Sequence, residues 1–215
     1  MSTINTRENF AQYLIQNFRN PTNVDLIIAT AINKNYIYFD LMFNFLNQRK
    51  INSNRIYEIV RDYGDSKIIQ IASKIPIDYL GNFLIHKAVD KGDINFVKRI
   101  VEANVDLNTI NNNQLTPLNL SINIFQHDIA EILVESGANP NISDALGDTP
   151  LILMSYPEPN YRLFKNLLDA KADVNHQNIS GISATNIVFD HNEKLIPLLC
   201  GFGSIKKVVS NHKGW

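Results

Sequence analysis

Three stretches of this chain repeat one another at a fixed interval. They are GNFLIHKAVDKGDINFVKRIVEANVDLN from Gly81, QLTPLNLSINIFQHDIAEILVESGANPN from Gln114 and GDTPLILMSYPEPNYRLFKNLLDAKADVN from Gly147. A weaker copy, GISATNIVFDHNEKLIPLLCGFGS, starts at Gly181. Leu84, Pro117, Pro150 and Ala184 hold equivalent places, at steps of 33, 33 and 34 residues. Such a period constrains the fold more than composition does. Each copy is one supersecondary unit too small to bury its own apolar face, so neighbours must stack into a solenoid.

The copies carry local signals of two helices each. Thr116 and Thr149 suit helix N-caps, with Pro117 and Pro150 at the first helical position, where a missing N–H is harmless. Leu118 and Ile122, then Ile129 and Leu133, place apolar groups four residues apart on two successive helices. Gly137 allows a positive φ where the second helix ends. The Asn and Asp residues that follow favour a turn into the next copy. Leu133 and Leu168 are expected between second helices of adjacent layers.

The Thr116-Pro117-Leu118 and Thr149-Pro150-Leu151 openings, in this register, resemble the ankyrin-repeat signature. So do Asn104-Val105-Asp106-Leu107-Asn108, Gly137-Ala138-Asn139-Pro140-Asn141 and Lys171-Ala172-Asp173-Val174-Asn175. The resemblance implies an all-α ankyrin-repeat solenoid: β-turn fingers, each followed by two antiparallel helices. It implies four repeats at 78–110, 111–143, 144–177 and 178–204, preceded by a divergent helical N-terminal region (1–77) and followed by a basic tail (205–215). His86 falls where the family pattern has a structural histidine that bonds neighbouring finger backbone.

Departures from the pattern are informative. Phe83-Leu84-Ile85-His86 replaces the usual opening, so the first clear copy is expected to be more weakly capped. Pro157 and Pro159 should end the first helix of the third copy early. The last copy is one residue short near Asn192 and has Pro197 in its second helix, as suits a terminal repeat. Upstream, residues 55–78 read as two short helices around Tyr63-Gly64-Asp65, and residues 24–47 as a helix pair broken near Asn33-Lys34-Asn35. Phe10, Tyr13, Leu14 and Phe18 recur at helical spacing, as in a cap helix. A separate small helical domain over 1–77 is the rival to continuous layers.

Composition narrows the function classes. Lys and Arg number 20 against 21 Asp and Glu, a net charge of -1, which gives no reason to expect nucleic acid, whose binding needs a basic face. A single cysteine, Cys200, excludes an internal disulfide framework and suits a reducing, cytoplasmic setting. The N-terminus lacks the pattern of a standard signal peptide, and no apolar run is long enough to span a membrane. Asn and Ile occur 29 times each, over a quarter of the chain. This is the residue usage of an AT-rich genome, such as those of intracellular bacteria and large DNA viruses.

The residues offer little chemistry. Asp190, His191 and Cys200 suggest a nucleophile and base, but the register puts Cys200 at a buried leucine position and His191 in a loop. His127, His176 and His212 lack ligand-spaced partners, so no metal site and no cofactor are expected.

The resemblance instead implies protein binding on the concave side, formed by finger tips and first helices. Carried over by register, the partner-facing residues are Tyr79, Leu80, Asn82, Asp90 and Lys91 in the first clear repeat, and Asn112, Asn113, Leu115, Asn123 and Ile124 in the second. The third contributes Ala145, Leu146, Asp148, Tyr156 and Pro157, and the fourth Ile179, Ser180, Ile182, Asp190 and His191. Leu115, Ile124, Leu146 and Tyr156 are expected to form one apolar patch. Three roles fit: a protein-binding adaptor or inhibitor, including an effector that an intracellular bacterium delivers to a host protein; an enzyme with its chemistry in residues 1–77 and repeats that recruit substrate; or a structural part of a larger complex.

Overall fold

The computed structural model describes residues 30–31, 34–48, 53–74, 76–78, 81–156 and 159–201. The expected cap helix near the N-terminus, Tyr79, Leu80, Pro157 and the 205–215 tail lie outside the described residues. Among the described residues the regular structure is helical, without strands: α1 (Tyr36–Gln48), α2 (Ser53–Tyr63), α3 (Ser66–Ala72), α4 (Leu84–Asp90), α5 (Ile94–Glu102), α6 (Pro117–Asn123), α7 (His127–Glu135), α8 (Pro150–Met154), α9 (Tyr161–Asp169), α10 (Ala184–His191) and α11 (Ile196–Gly201), the last preceded by a 3-10 turn at Glu193–Leu195.

Capping decides where the helices begin. Thr116 and Thr149 accept from the N–H groups of Asn119 and Ile152, and each precedes a proline at the first helical position. Asp65, Asp93 and Asn160 do the same for α3, α5 and α9. Phe83 has no such side chain; its N–H instead donates to His86 Nδ1 at 3.3 Å. Helix α8 is only five residues long and ends before the proline-containing loop, as its sequence requires.

Left-handed residues recur with the repeat. One series, at the finger tips, is Gly81, Gln114, Gly147 and Gly181; a second, after the second helices, is Asn104, Gly137 and Lys171; a third, between the helices, is Gly92 and Phe125. At Gly147 a Cβ would also lie 3.0 Å from the backbone nitrogen of Ile179, so close packing of neighbouring fingers adds to the need for glycine.

The helices stack in two rows. First helices α4, α6, α8 and α10 pack in succession, and second helices α3, α5, α7 and α9 do likewise, with α1 against α3. One core runs between the rows, from Phe39 and Phe43 through Ile68, Leu84, Phe96, Ile129, Leu133, Phe164 and Leu168 to Leu195 and Leu199. Burying each such side chain is worth about 1.5–3 kcal/mol, which no single repeat supplies in sufficient number.

Side-chain bonds tie the upstream layers to the repeats. Tyr36 donates to Asp65 at 2.8 Å and Tyr57 to Asp93 at 3.0 Å, each tyrosine meeting the aspartate that caps a later second helix. Burial, and then the Asp93 carboxylate, push the Tyr57 hydroxyl well above its ordinary pKa. The Arg99 guanidinium donates to the carbonyls of Arg61 and Gly64 at the end of α2, and Gln70 donates to the Ala103 carbonyl at 2.8 Å.

Cys200 corrects the sequence reading. It is exposed, not buried. Leu195 and Leu199, four residues apart, take the core positions that Leu163 and Leu167 hold one repeat earlier. Cys200 stands where Leu168 does in that repeat, but α11 is the last described helix and no further described layer covers it. His191 is the final residue of α10 rather than part of a loop.

Candidate binding face

The fingers are built from amide and carboxylate side chains. In the second, third and fourth fingers, the backbone closes through Asn111 N–H to Leu115 O (3.1 Å), Asp144 N–H to Asp148 O (3.0 Å) and Asn178 N–H to Ile182 O (2.9 Å). Asn111, Asp144 and Asn178 also accept backbone N–H groups of their own turns through their side chains. Neighbouring fingers are then joined. Asn111 donates to Asn82 Oδ1 at 2.8 Å, Asn178 to Asp148 Oδ1 at 2.7 Å, and Ile179 N–H to Leu146 O at 3.1 Å.

Imidazoles reinforce this ladder. His86 is buried and bridges Phe83 and the Leu115 carbonyl, its Nε2 at 3.0 Å from that oxygen. Because Nδ1 accepts, Nε2 carries the proton and donates. Burial holds the His86 pKa below its ordinary value, against the opposing effects of the Leu115 carbonyl and Asp78. Asn119 stands one repeat later and donates to the Ile142 carbonyl at 3.1 Å. His176 Nε2 lies 2.9 Å from the Gly147 carbonyl. Although burial favours its neutral form, Asp78 is held below the usual carboxylate range by bonds from Asn82 and Lys87.

This network sorts the residues expected to face a partner. Asp148 does not belong to the outward set: it is 7% exposed, and its carboxylate accepts from Asn178. Asn82 is half-buried between Asp78 and Asn111. Leu115, Ile124 and Ile182 are also half-buried, and Ile124 and Ile182 pack against the core. Asp90, Lys91, Asn112, Asn113, Asn123, Ala145, Ser180, Asp190 and His191 are exposed. So are Leu146 at 57%, Tyr156 at 43% and Ile179 at 74%. The backbone bond between Leu146 and Ile179 places these two side chains on adjacent finger tips.

Sequence reasoning missed Phe125, Ile110 and Tyr161, all large and exposed. Phe125 was findable, because the register sets it opposite Gly92. The described residues contain no group of three or more His, Cys, Asp or Glu side chains placed to hold a metal ion, and no helix long and apolar enough to cross a membrane. What this surface offers is recognition: neutral amides that donate and accept, flanking a few exposed apolar side chains.

Comparison with known proteins agrees with this architecture. The family model for ankyrin repeats (3 copies) matches residues 58–144 and 85–178. The putative ankyrin repeat protein YahD of Escherichia coli (strain K12) is 28% identical over 142 residues, covering 66% of this chain and 67% of that protein. The putative ankyrin repeat protein L371 of Acanthamoeba polyphaga mimivirus is 30% identical over 111 residues, 51% of this chain but only 14% of that protein. NF-kappa-B inhibitor alpha of Sus scrofa is 43% identical over 63 residues, 29% of this chain and 17% of its own length. The repeats, the two helix rows and the finger ladder converge on one conclusion: the chain belongs to the ankyrin-repeat family, an all-α solenoid whose repeats indicate a protein–protein interaction module.

Proposed function

We propose that this chain binds a partner protein through its finger tips and first helices, without chemistry of its own. The observation that carries the reading is the pair Leu146 and Ile179, 57% and 74% exposed on adjacent finger tips. Asp148 and Asn178 hold the fingers together beneath them, so the apolar tips are presented by a braced scaffold. Tyr156, at the end of the third first helix, extends the surface. An exposed aromatic with aliphatic neighbours and an amide-rich rim has the composition of a protein-binding hot spot. Residues 1–77 we read as helical layers continuous with four repeats over 78–204; the support is one core that joins the described residues from Ala31 to Leu199.

The finer reading is an effector that acts on a host protein in the cytoplasm. The Asn- and Ile-rich composition supports an AT-rich source, and the similar proteins include one from Rickettsia bellii and one from a virus of amoebae. The test is titration of a retained protein against Ile179→Ala and Tyr156→Ala, beside Glu102→Ala on a second helix, each first shown to melt like wild type. Ile179→Ala and Tyr156→Ala should weaken binding about tenfold or more. Equal affinity of all three variants would remove the finger-tip assignment.

A further inference from the structure

Phe125 is 80% exposed, and its backbone lies in the left-handed region at φ 61°. One repeat earlier the same loop position is Gly92, φ 64°. The other left-handed non-glycine residues among those described are Lys34, Asn104, Gln114 and Lys171, all polar. In this conformation a Cβ crowds the following carbonyl oxygen, so glycine is the unstrained choice and a bulky residue is an outlier. The Phe125 ring recovers little by burial. It has a tilted contact with the His127 imidazole, their centroids 6.1 Å apart. A side chain that is both strained and unburied is not explained by folding, and such outliers concentrate at functional positions.

The surroundings say what would cover the ring. Asn123 and Asp128, on the helices either side of the loop, are exposed and polar, as is Asp90, which ends the neighbouring first helix. Asp90 and Asp128 form no ion pair among the described residues, whereas the nearby Lys91 ammonium sits 5.4 Å from the centre of the Tyr57 ring. One strongly protruding ring with carboxylates beside it, and with Tyr156 less exposed at the end of the next first helix, does not match a broad apolar face. It matches a concave apolar pocket with a basic rim. We infer that Phe125 is the anchor of the protein-binding surface, seating in such a pocket on a folded partner. The inter-helix loop is thus a recognition element alongside the finger tips. This rests on the protein-binding reading and adds to it the anchor and the chemistry of its receptor.

The experiment compares wild type with Phe125→Gly, Phe125→Asn, Asp128→Asn and Tyr156→Ala. The probes are a protein retained from cell lysate by the immobilised wild-type chain and then purified, and phosphatidylserine-containing vesicles. Phe125→Gly and Phe125→Asn should melt at or above wild type, by up to about 2–4 °C, yet bind the purified protein about thirtyfold more weakly. Asp128→Asn should bind a few-fold more weakly and with reduced salt dependence. A clear fall in melting temperature for both Phe125 variants would make the ring structural and overturn the inference. Unchanged affinity in the Phe125 variants, with binding lost in Tyr156→Ala, would overturn it while leaving the finger-tip reading standing. Vesicle binding by wild type that Phe125→Gly abolishes would replace the pocket with a lipid surface, and retention of no protein by wild type would sink both readings.

Discussion

His86 Nε2 donates to the carbonyl oxygen of Leu115 at 3.0 Å, so a side chain at the start of one repeat's first helix closes the finger of the next. The same ring accepts the Phe83 N–H, which substitutes for the missing side-chain cap. One buried imidazole thus joins capping within a repeat to stacking between repeats.

This gives His86 a pH signature. Its folded pKa is depressed by burial from the ordinary 6.5. Above that value neither state binds the proton, and the full stability is present. As pH falls below it, the unfolded chain takes up a proton that the folded chain resists, and stability is lost. His86→Gln should cost about 1–3 kcal/mol near neutrality. Thermal melts at about pH 7.5 and about pH 5.5 should show the gap between wild type and variant narrowing on acidification. A gap that stays constant would mean that His86 is not held neutral.

Arg99 carries the junction between α2 and the first clear repeat. Its guanidinium donates to the carbonyls of Arg61 and Gly64 and stacks on Phe96, 5.3 Å from the ring centre. Methionine keeps the apolar stem and removes both bonds, so Arg99→Met should cost about 2–4 kcal/mol. Hydrogen exchange should quicken first in residues 56–72 and leave residues 129–134 protected. Uniform loosening, or none, would show that the junction is held elsewhere.

Leu133 and Leu168 are fully buried on successive second helices. Replacing either with alanine should cost about 2–5 kcal/mol in chemical denaturation, from lost burial and the cavity left behind. Both sites lie in the one core shared by the rows, so their neighbours cannot collapse without moving an adjacent layer. Melts unchanged in both variants would contradict the layer packing.

The sequence by itself determined the period, the helix starts and the family. Thr116, Thr149, Pro117, Pro150 and Gly137 act within their own turn of chain, so their effect is readable without knowing what lies beside them. The buried rows at Leu118 and Ile122, and at Ile129 and Leu133, follow equally from helical spacing. His86 was legible through the resemblance. Tertiary structure decided the rest. The Asn82–Asn111 and Asp148–Asn178 pairs join residues 29 and 30 apart, and the Tyr57–Asp93 and Arg99–Arg61 bonds span 36 and 38. Each depends on how far one layer is rotated against the next, which packing sets. Packing also turned Asp148 inward and left Cys200, on the last described helix, exposed. Local signals specify each repeat because they act over a few residues; which side chains remain for a partner is settled only when neighbouring repeats have taken the bonds they need.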